Sequence, residues 1–276
     1  MSRRPRLWMR SGVVVGAAMC LTSCEGIAFI AKTISGPTKV EAVYTLADRS
    51  TLVMVDDPYR RLGDPGLSAV VATNALLGAG LSKEDQLLCT LEGERRAAGV
   101  THSDNSAPSL HGGIVMVRPE RPGVAIPLPV PDGLSVALVH PPLELETEAM
   151  RQALPKEVPL ERAVAQWANC AALVVGLYEE DWELVGRTLV DEIAAPHRTP
   201  QVPGFSEVCS AALEAGAVGA GLSGSGPSIF ALCRSIGDAT AAADAMTHAF
   251  SQVGLDGADR YVSLVGSGAR VVEDLP

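Results

Sequence analysis

Gly221-Leu222-Ser223-Gly224-Ser225-Gly226-Pro227-Ser228 is the most informative stretch of this 276-residue chain. It sets a run of small residues between two apolar segments, residues 217–222 and 228–233, that read as strands. Small residues let backbone N–H groups close on an anion, and three serine hydroxyls add donors. A plain hairpin connection is the other reading of the same residues.

Beyond that loop, residues 238–250 read as a helix and residues 261–265 as a strand. Upstream, residues 146–213 are mostly helical in pattern. The clearest piece places Leu160, Ala163, Val164, Trp167, Ala171, Val174 and Tyr178 at helical spacing, with Trp167 expected in the core rather than against a cofactor. Strands are expected over residues 113–117, 124–128 and 134–139, preceded by a polar, proline-containing loop over residues 101–108. Ser82 followed by Glu84 and Asp85 reads as a capped helix start running to about Ala98, with Leu87, Leu88 and Leu91 as its buried stripe. Residues 68–78 read as a short apolar helix ending at glycine.

Composition bounds what such a chain can do. It carries 32 acidic against 22 basic side chains, a net charge of −10, so a surface built to neutralise nucleic-acid phosphates is not expected. With 27 glycines and few aromatics, the core must be made of small aliphatic side chains. The six cysteines, Cys20, Cys24, Cys89, Cys170, Cys209 and Cys233, show no metal-binding spacing and read as buried free thiols.

The first 24 residues have the layout of an export signal: Arg3, Arg4, Arg6 and Arg10, then an apolar run over residues 12–21 too short to span a bilayer. Leu21-Thr22-Ser23-Cys24 resembles a bacterial lipobox, which implies a lipid anchor at Cys24. Val40-Glu41-Ala42-Val43-Tyr44 and Thr51-Leu52-Val53-Met54-Val55 then suggest a pair of strands.

The glycine loop, continued by Ile229-Phe230-Ala231-Leu232, resembles the third signature of the GHMP small-molecule kinases. Val100-Thr101-His102-Ser103-Asp104-Asn105-Ser106-Ala107-Pro108, followed by Gly112-Gly113, resembles the segment typical of the homoserine kinases within that superfamily. Pro196-His197-Arg198 with Pro203-Gly204-Phe205, and Gly268-Ala269-Arg270-Val271, agree with it in order. The resemblance covers residues 66 to about 273.

The resemblance implies a two-domain α/β (α+β) fold: an N-terminal domain related to ribosomal protein S5 domain 2, then a ferredoxin-like C-terminal domain from residue 134. It implies ATP and Mg²⁺, L-homoserine as substrate, threonine biosynthesis, a homodimer and a cytoplasmic location. Glu94 would hold Mg²⁺, for which a carboxylate is a suitable ligand, though it also reads as part of a solvated face beside Glu92, Arg95 and Arg96. His102, Asp104 and Asn105 would line the amino-acid pocket, and Asp104 or Asn105 also suits a backbone cap. Arg198 and Arg270, otherwise surface residues, would meet the α-carboxylate, with Arg198 also catalytic. Gly224, Ser225 and Gly226 would bind nucleotide.

The match breaks ahead of residue 66. The family's opening loop, Pro-x-Ser-x-Asn-x-Gly-x-Gly-Phe-Asp, has no counterpart, and of its phosphate loop only Pro65-Gly66-Leu67-Ser68-Ala69 stands here, leaving Gly66 and Ser68 as remnants. The chain is thus expected to divide into a signal segment (1–24), an unrelated strand-containing segment (25–65), an incomplete N-terminal kinase domain (66–133) and a C-terminal kinase domain (134–276). The incomplete domain would expose apolar surface unless the strands near residues 39–55 fill the gap. The other reading is a catalytically dead, membrane-anchored lipoprotein whose kinase-derived portion is a structural or binding module. A third is a different GHMP substrate such as mevalonate.

Overall fold

The computed structural model describes residues 17–22, 27–31, 39–45, 51–56, 65–98, 101, 103–266 and 268–269. Cys24 and the basic start of the expected signal segment lie outside the described residues, as do His102 and Arg270.

Three helices and a four-stranded sheet make the first layer. Strands β1 (Ala17–Thr22), β2 (Ile27–Ala31), β5 (Ile114–Arg118) and β6 (Arg121–Leu128) run in the order β2-β1-β5-β6, with β1 parallel to β5 and the other pairs antiparallel. Among the described residues, strands β3 (Lys39–Thr45) and β4 (Thr51–Asp56) pair only with each other. The gap beside β5 is therefore filled by β1 and β2, not by the hairpin near residues 39–55. Helices α1 (Pro65–Leu77), α2 (Lys83–Ala98) and α3 (Ser103–His111) cover this sheet. Leu67, Leu87, Leu91, Ala107, Leu110, Val115 and Val117 form their shared core, whereas Leu88 is exposed.

Ser82 caps α2 as its sequence suggests: its Oγ accepts from the Asp85 amide at 3.1 Å and donates to the Asp85 carboxylate at 2.7 Å. Most of residues 101–108, read as a loop, is instead the start of helix α3, which runs from Ser103 to His111. Its proline, Pro108, lies late in the helix, and its polar face hides the periodicity.

A second sheet carries the rest. Strands β7 (Ser135–His140), β8 (Gly219–Leu222), β9 (Ile229–Cys233) and β10 (Asp259–Leu264) are antiparallel in the order β10-β7-β9-β8. Helices α8 (Phe205–Glu214) and α9 (Ile236–Gln252) pack on one face, giving strand-helix-strand-strand-helix-strand in the expected ferredoxin-like order. Side chains alternate along β9: Ile229, Ala231 and Cys233 meet Val208, Ala242 and Met246, while Phe230 and Leu232 face Ile114 of the first sheet and Leu173 and Leu177 of α5 (Leu160–Glu179). Alanines at positions 239, 242 and 243 let α9 lie close to the sheet, which is where the chain's small residues are spent.

Short helices α4 (Thr147–Gln152), α6 (Trp182–Thr188) and α7 (Ala195–Arg198) complete the connection. Asp181 caps α6 by accepting from the Leu184 amide at 3.0 Å. The stripe expected to bury α5 does not: Leu160, Val164, Trp167, Ala171 and Tyr178 are exposed, and the core face is formed by Gln166, Leu173, Gly176 and Leu177. Among the described residues no helix is long and apolar enough to cross a membrane.

Candidate active site

Two groups of side chains collect the residues singled out by sequence. The first lies on the first layer. Leu67, buried among Ala107 and Leu110, docks the start of α1 against α3, so exposed Gly66 and half-buried Ser68 stand at a helix N-terminus beside it. Asp104 and Asn105 occupy the first turn of α3, both half-buried. Ser106 Oγ donates to Glu94 Oε1 at 2.9 Å, joining α3 to the last turns of α2. Glu94 is half-buried, and the two arginines near it belong elsewhere: Arg95 and Arg96 both bind Glu92, whose carboxyl they hold down at about 2. Glu94 is thus set apart from the solvated charged face.

The last described residues return to this group. Gly113 N–H donates to Gly266 O at 2.8 Å, and Ala269 N–H to Ser109 O at 2.9 Å. A Cβ at Gly268 would strike the backbone of residues 110–112, so only glycine admits this approach. The Gly268-Ala269 motif therefore meets the end of the helix that carries Asp104 and Asn105, although the whole second sheet lies between them in sequence.

The second group surrounds the glycine loop between β8 and β9. Gly224 and Gly226 take positive φ angles of 59° and 81°, conformations that side-chain-bearing residues avoid. Ser223 N–H donates to Ser228 O at 2.8 Å and Gly226 N–H to Ser223 O at 3.0 Å, closing the loop on itself. The Gly226–Pro227 peptide is cis. Arg198, read as a surface residue if not functional, is only 6% exposed. Its Nη1 donates to Gly224 O at 3.3 Å and its Nε to Met150 O at 3.4 Å. A guanidinium has five N–H donors, more than these two bonds use.

His140 was not singled out by sequence. Its Nδ1 lies 2.8 Å from Ser228 Oγ, pinning the end of the glycine loop to β7. The one signal available was a histidine closing an otherwise apolar strand. Ser106 likewise stood inside a quoted motif without a role. Among the described residues no three His, Cys, Asp or Glu side chains cluster as a metal site. Mg²⁺ typically takes one or two carboxylates plus water and substrate phosphates, so a single glutamate with a neighbouring hydroxyl suits it as a donor set.

Comparison with known proteins gives three findings. Residues 173–252 match the family model for the GHMP kinase C-terminal domain. Curated homoserine kinases are similar: that of Chlorobaculum tepidum is 44% identical over 208 residues, covering 74% of this chain and 64% of its own, and that of Chlorobium phaeobacteroides is 46% identical over 184 residues, covering 67% and 58%. The crystal structure of homoserine kinase from Cytophaga hutchinsonii superposes with a TM-score of 0.75 at 40% identity, covering 80% of this chain and 72% of that one. The chain spans 58% to 64% of the length of these two curated relatives.

Proposed function

The chain belongs to the homoserine kinase family, with the α/β GHMP kinase fold, and we propose that it binds ATP and L-homoserine and transfers the γ-phosphoryl group to the homoserine hydroxyl. The observation that carries this reading is the burial of Arg198 against the glycine loop, which puts a fixed cation at the edge of a small-residue anion cradle.

Phosphoryl transfer asks a protein mainly for placement and charge stabilisation. Gly224 and Ser225 would offer backbone and hydroxyl donors to phosphate oxygens, Gly226, whose N–H is spent on Ser223 O, would shape the turn beside them, and the N-terminus of α1 at Gly66 and Ser68 would support negative charge through its dipole. Glu94 with Ser106 would hold Mg²⁺, which when bound neutralises charge on the phosphates. Asp104 and Asn105 would take the amino and hydroxyl groups of the amino acid, with His102 and Arg270 completing the pocket. Arg198 would meet the α-carboxylate with donors not spent on Gly224 and Met150.

Turnover is expected to be slow. Ahead of the apolar run of α1 only Gly66-Leu67-Ser68-Ala69 remains of the family's phosphate loop, and fewer donors at the transferring group cost transition-state stabilisation. A module that binds without turning over is the second reading, favoured by the same residues. A coupled ADP-release assay with L-homoserine on the full chain, beside calorimetric titrations of ATP and L-homoserine, tests both. Binding of each ligand with slow, homoserine-dependent ADP release is expected. Failure to bind homoserine, or preference for mevalonate, overturns the substrate; turnover near 10 s⁻¹, typical of enzymes, overturns the slow reading.

A further inference from the structure

The glycine loop leaves β8 after Leu222 and enters β9 at Ile229, and a side-chain bond secures its second end. In the antiparallel pairing of β7 with β9, Val139 stands opposite Ile229. One step past that last backbone pair, the same register sets His140 opposite Ser228. There His140 Nδ1 lies 2.8 Å from Ser228 Oγ, the distance at which directly opposed side chains on one face of a sheet can bond. The bond holds in either tautomer of the ring, because a hydroxyl donates to a bare Nδ1 and accepts from a protonated one.

Ser228 is thereby held from both sides. Its carbonyl accepts from the Ser223 amide at 2.8 Å, closing the neck of the loop on the β8 side, while its hydroxyl is tied to β7. His140 is itself a fixed post, since the pairing of β10 with β7 extends to Asp259 opposite it. Val139, Ile229 and Leu222 turn toward α8 and α9, so His140 and Ser228 share the opposite face with Leu138 and Phe230, the face that meets Ile114 of the first sheet. Nearer the start of the loop, Arg198 Nη1 donates to Gly224 O at 3.3 Å. Between these two grips lie Gly224 and Gly226, both at positive φ, whose backbones have the most conformational freedom to lose on ordering.

We propose that His140 is a positioning residue for the nucleotide: its bond to Ser228 keeps the glycine loop in the shape that receives phosphate oxygens before any ligand arrives. The proposal rests on the reading of this loop as a nucleotide cradle and adds the residue that sets its resting shape. A loop ordered in advance binds more tightly, because less freedom is lost on association. Loosened at Ser228, the same donors would still be present but would have to be gathered by the ligand itself.

Calorimetric titration of ATP into the full chain, beside titration of L-homoserine and urea unfolding, reads this role. His140→Phe keeps a ring of similar size and removes the polar atom, and its dissociation constant for ATP is expected to rise by about threefold to tenfold, with a smaller change for L-homoserine. Ser228→Ala removes a single oxygen, so it reads the same bond should the larger change unsettle the sheet. It is expected to match His140→Phe, and the double variant to lose no more than either alone. His140→Asn places an amide atom the same number of bonds from Cα as Nδ1 and should restore most of the ATP affinity. A wild-type chain that binds no ATP overturns the cradle reading and the proposal with it. A wild type that binds ATP while the variants keep its affinity, lose only their urea midpoint, lose ATP and L-homoserine equally, add in the double variant, or are not rescued by asparagine overturns the role of His140 alone.

Discussion

Ser106 and Glu94 are twelve residues apart in sequence and 2.9 Å apart in space, the hydroxyl of α3 donating to the carboxylate of α2. A carboxylate steered by a neighbouring hydroxyl is the arrangement expected of a metal ligand with its orienting partner.

Glu94→Gln is expected to abolish Mg²⁺-dependent ATP binding, and Ser106→Ala to weaken it by about 10-fold to 100-fold while leaving the fold intact. Titration of MgATP followed by calorimetry reads both. Unchanged Mg²⁺ dependence in the two variants would remove Glu94 from the site.

Arg198→Lys keeps the charge but loses the planar fork. The KM for L-homoserine should rise by at least tenfold with a smaller change in kcat. Loss of the bonds to Gly224 and Met150 should lower stability by about 1–3 kcal/mol, read from urea unfolding. A variant with wild-type KM shows that Arg198 only positions the loop.

His111 predicts a pH dependence. Burial, and then the nearby Lys83, hold its ring below the ordinary 6.5, and its Nε2 has no hydrogen-bond partner among the described residues. The unfolded chain therefore binds the proton more readily than the folded one as pH falls past 6.5, so stability is lost as pH falls from 6.5 toward the lower value of the folded state and changes no further beneath it. The urea midpoint should fall between pH 7 and pH 5.5 and fall less in His111→Leu. Parallel curves for the two proteins would count against this.

Thiol reactivity should separate the cysteines. Burial pushes Cys209 and Cys233 up to about 12, whereas Cys89 is exposed, which corrects the reading of all six as buried. Brief alkylation at neutral pH followed by peptide mass spectrometry should label Cys89 well before Cys209 and Cys233. Equal labelling would mean that the second sheet opens readily.

What could be read in the sequence depended on whether the signal was local. Ser82 with Asp85 marks the start of α2 because a cap is made within four residues, and the β7, β8, β9 and β10 strands announce themselves as short apolar runs. Helix α3 was hidden because Ser103, Asp104, Asn105 and Ser109 carry polar groups that also suit a turn. Trp167 was misplaced for a different reason. Periodicity shows that α5 has an apolar face but cannot say which of two such faces meets the sheet. For the candidate site, Glu94, Asp104, Asn105 and the glycine loop were singled out by the resemblance of their motifs to the family's. The pairing of His140 with Ser228 joins residues 88 apart, and a histidine closing an apolar strand is its one local sign.

The return of Gly266 and Ala269 to the end of α3 also sets an order of events in the life of the chain. Synthesis runs from the N-terminus, and segments fold as they emerge. The helix bearing Asp104 and Asn105 is made early, yet the amide of Gly113 and the carbonyl of Ser109 find their partners only among the last residues described. During translation this corner waits unfinished while the entire second sheet is assembled. A chain stopped short of residue 266 would thus hold the whole glycine loop and yet lack both bonds that close the end of α3.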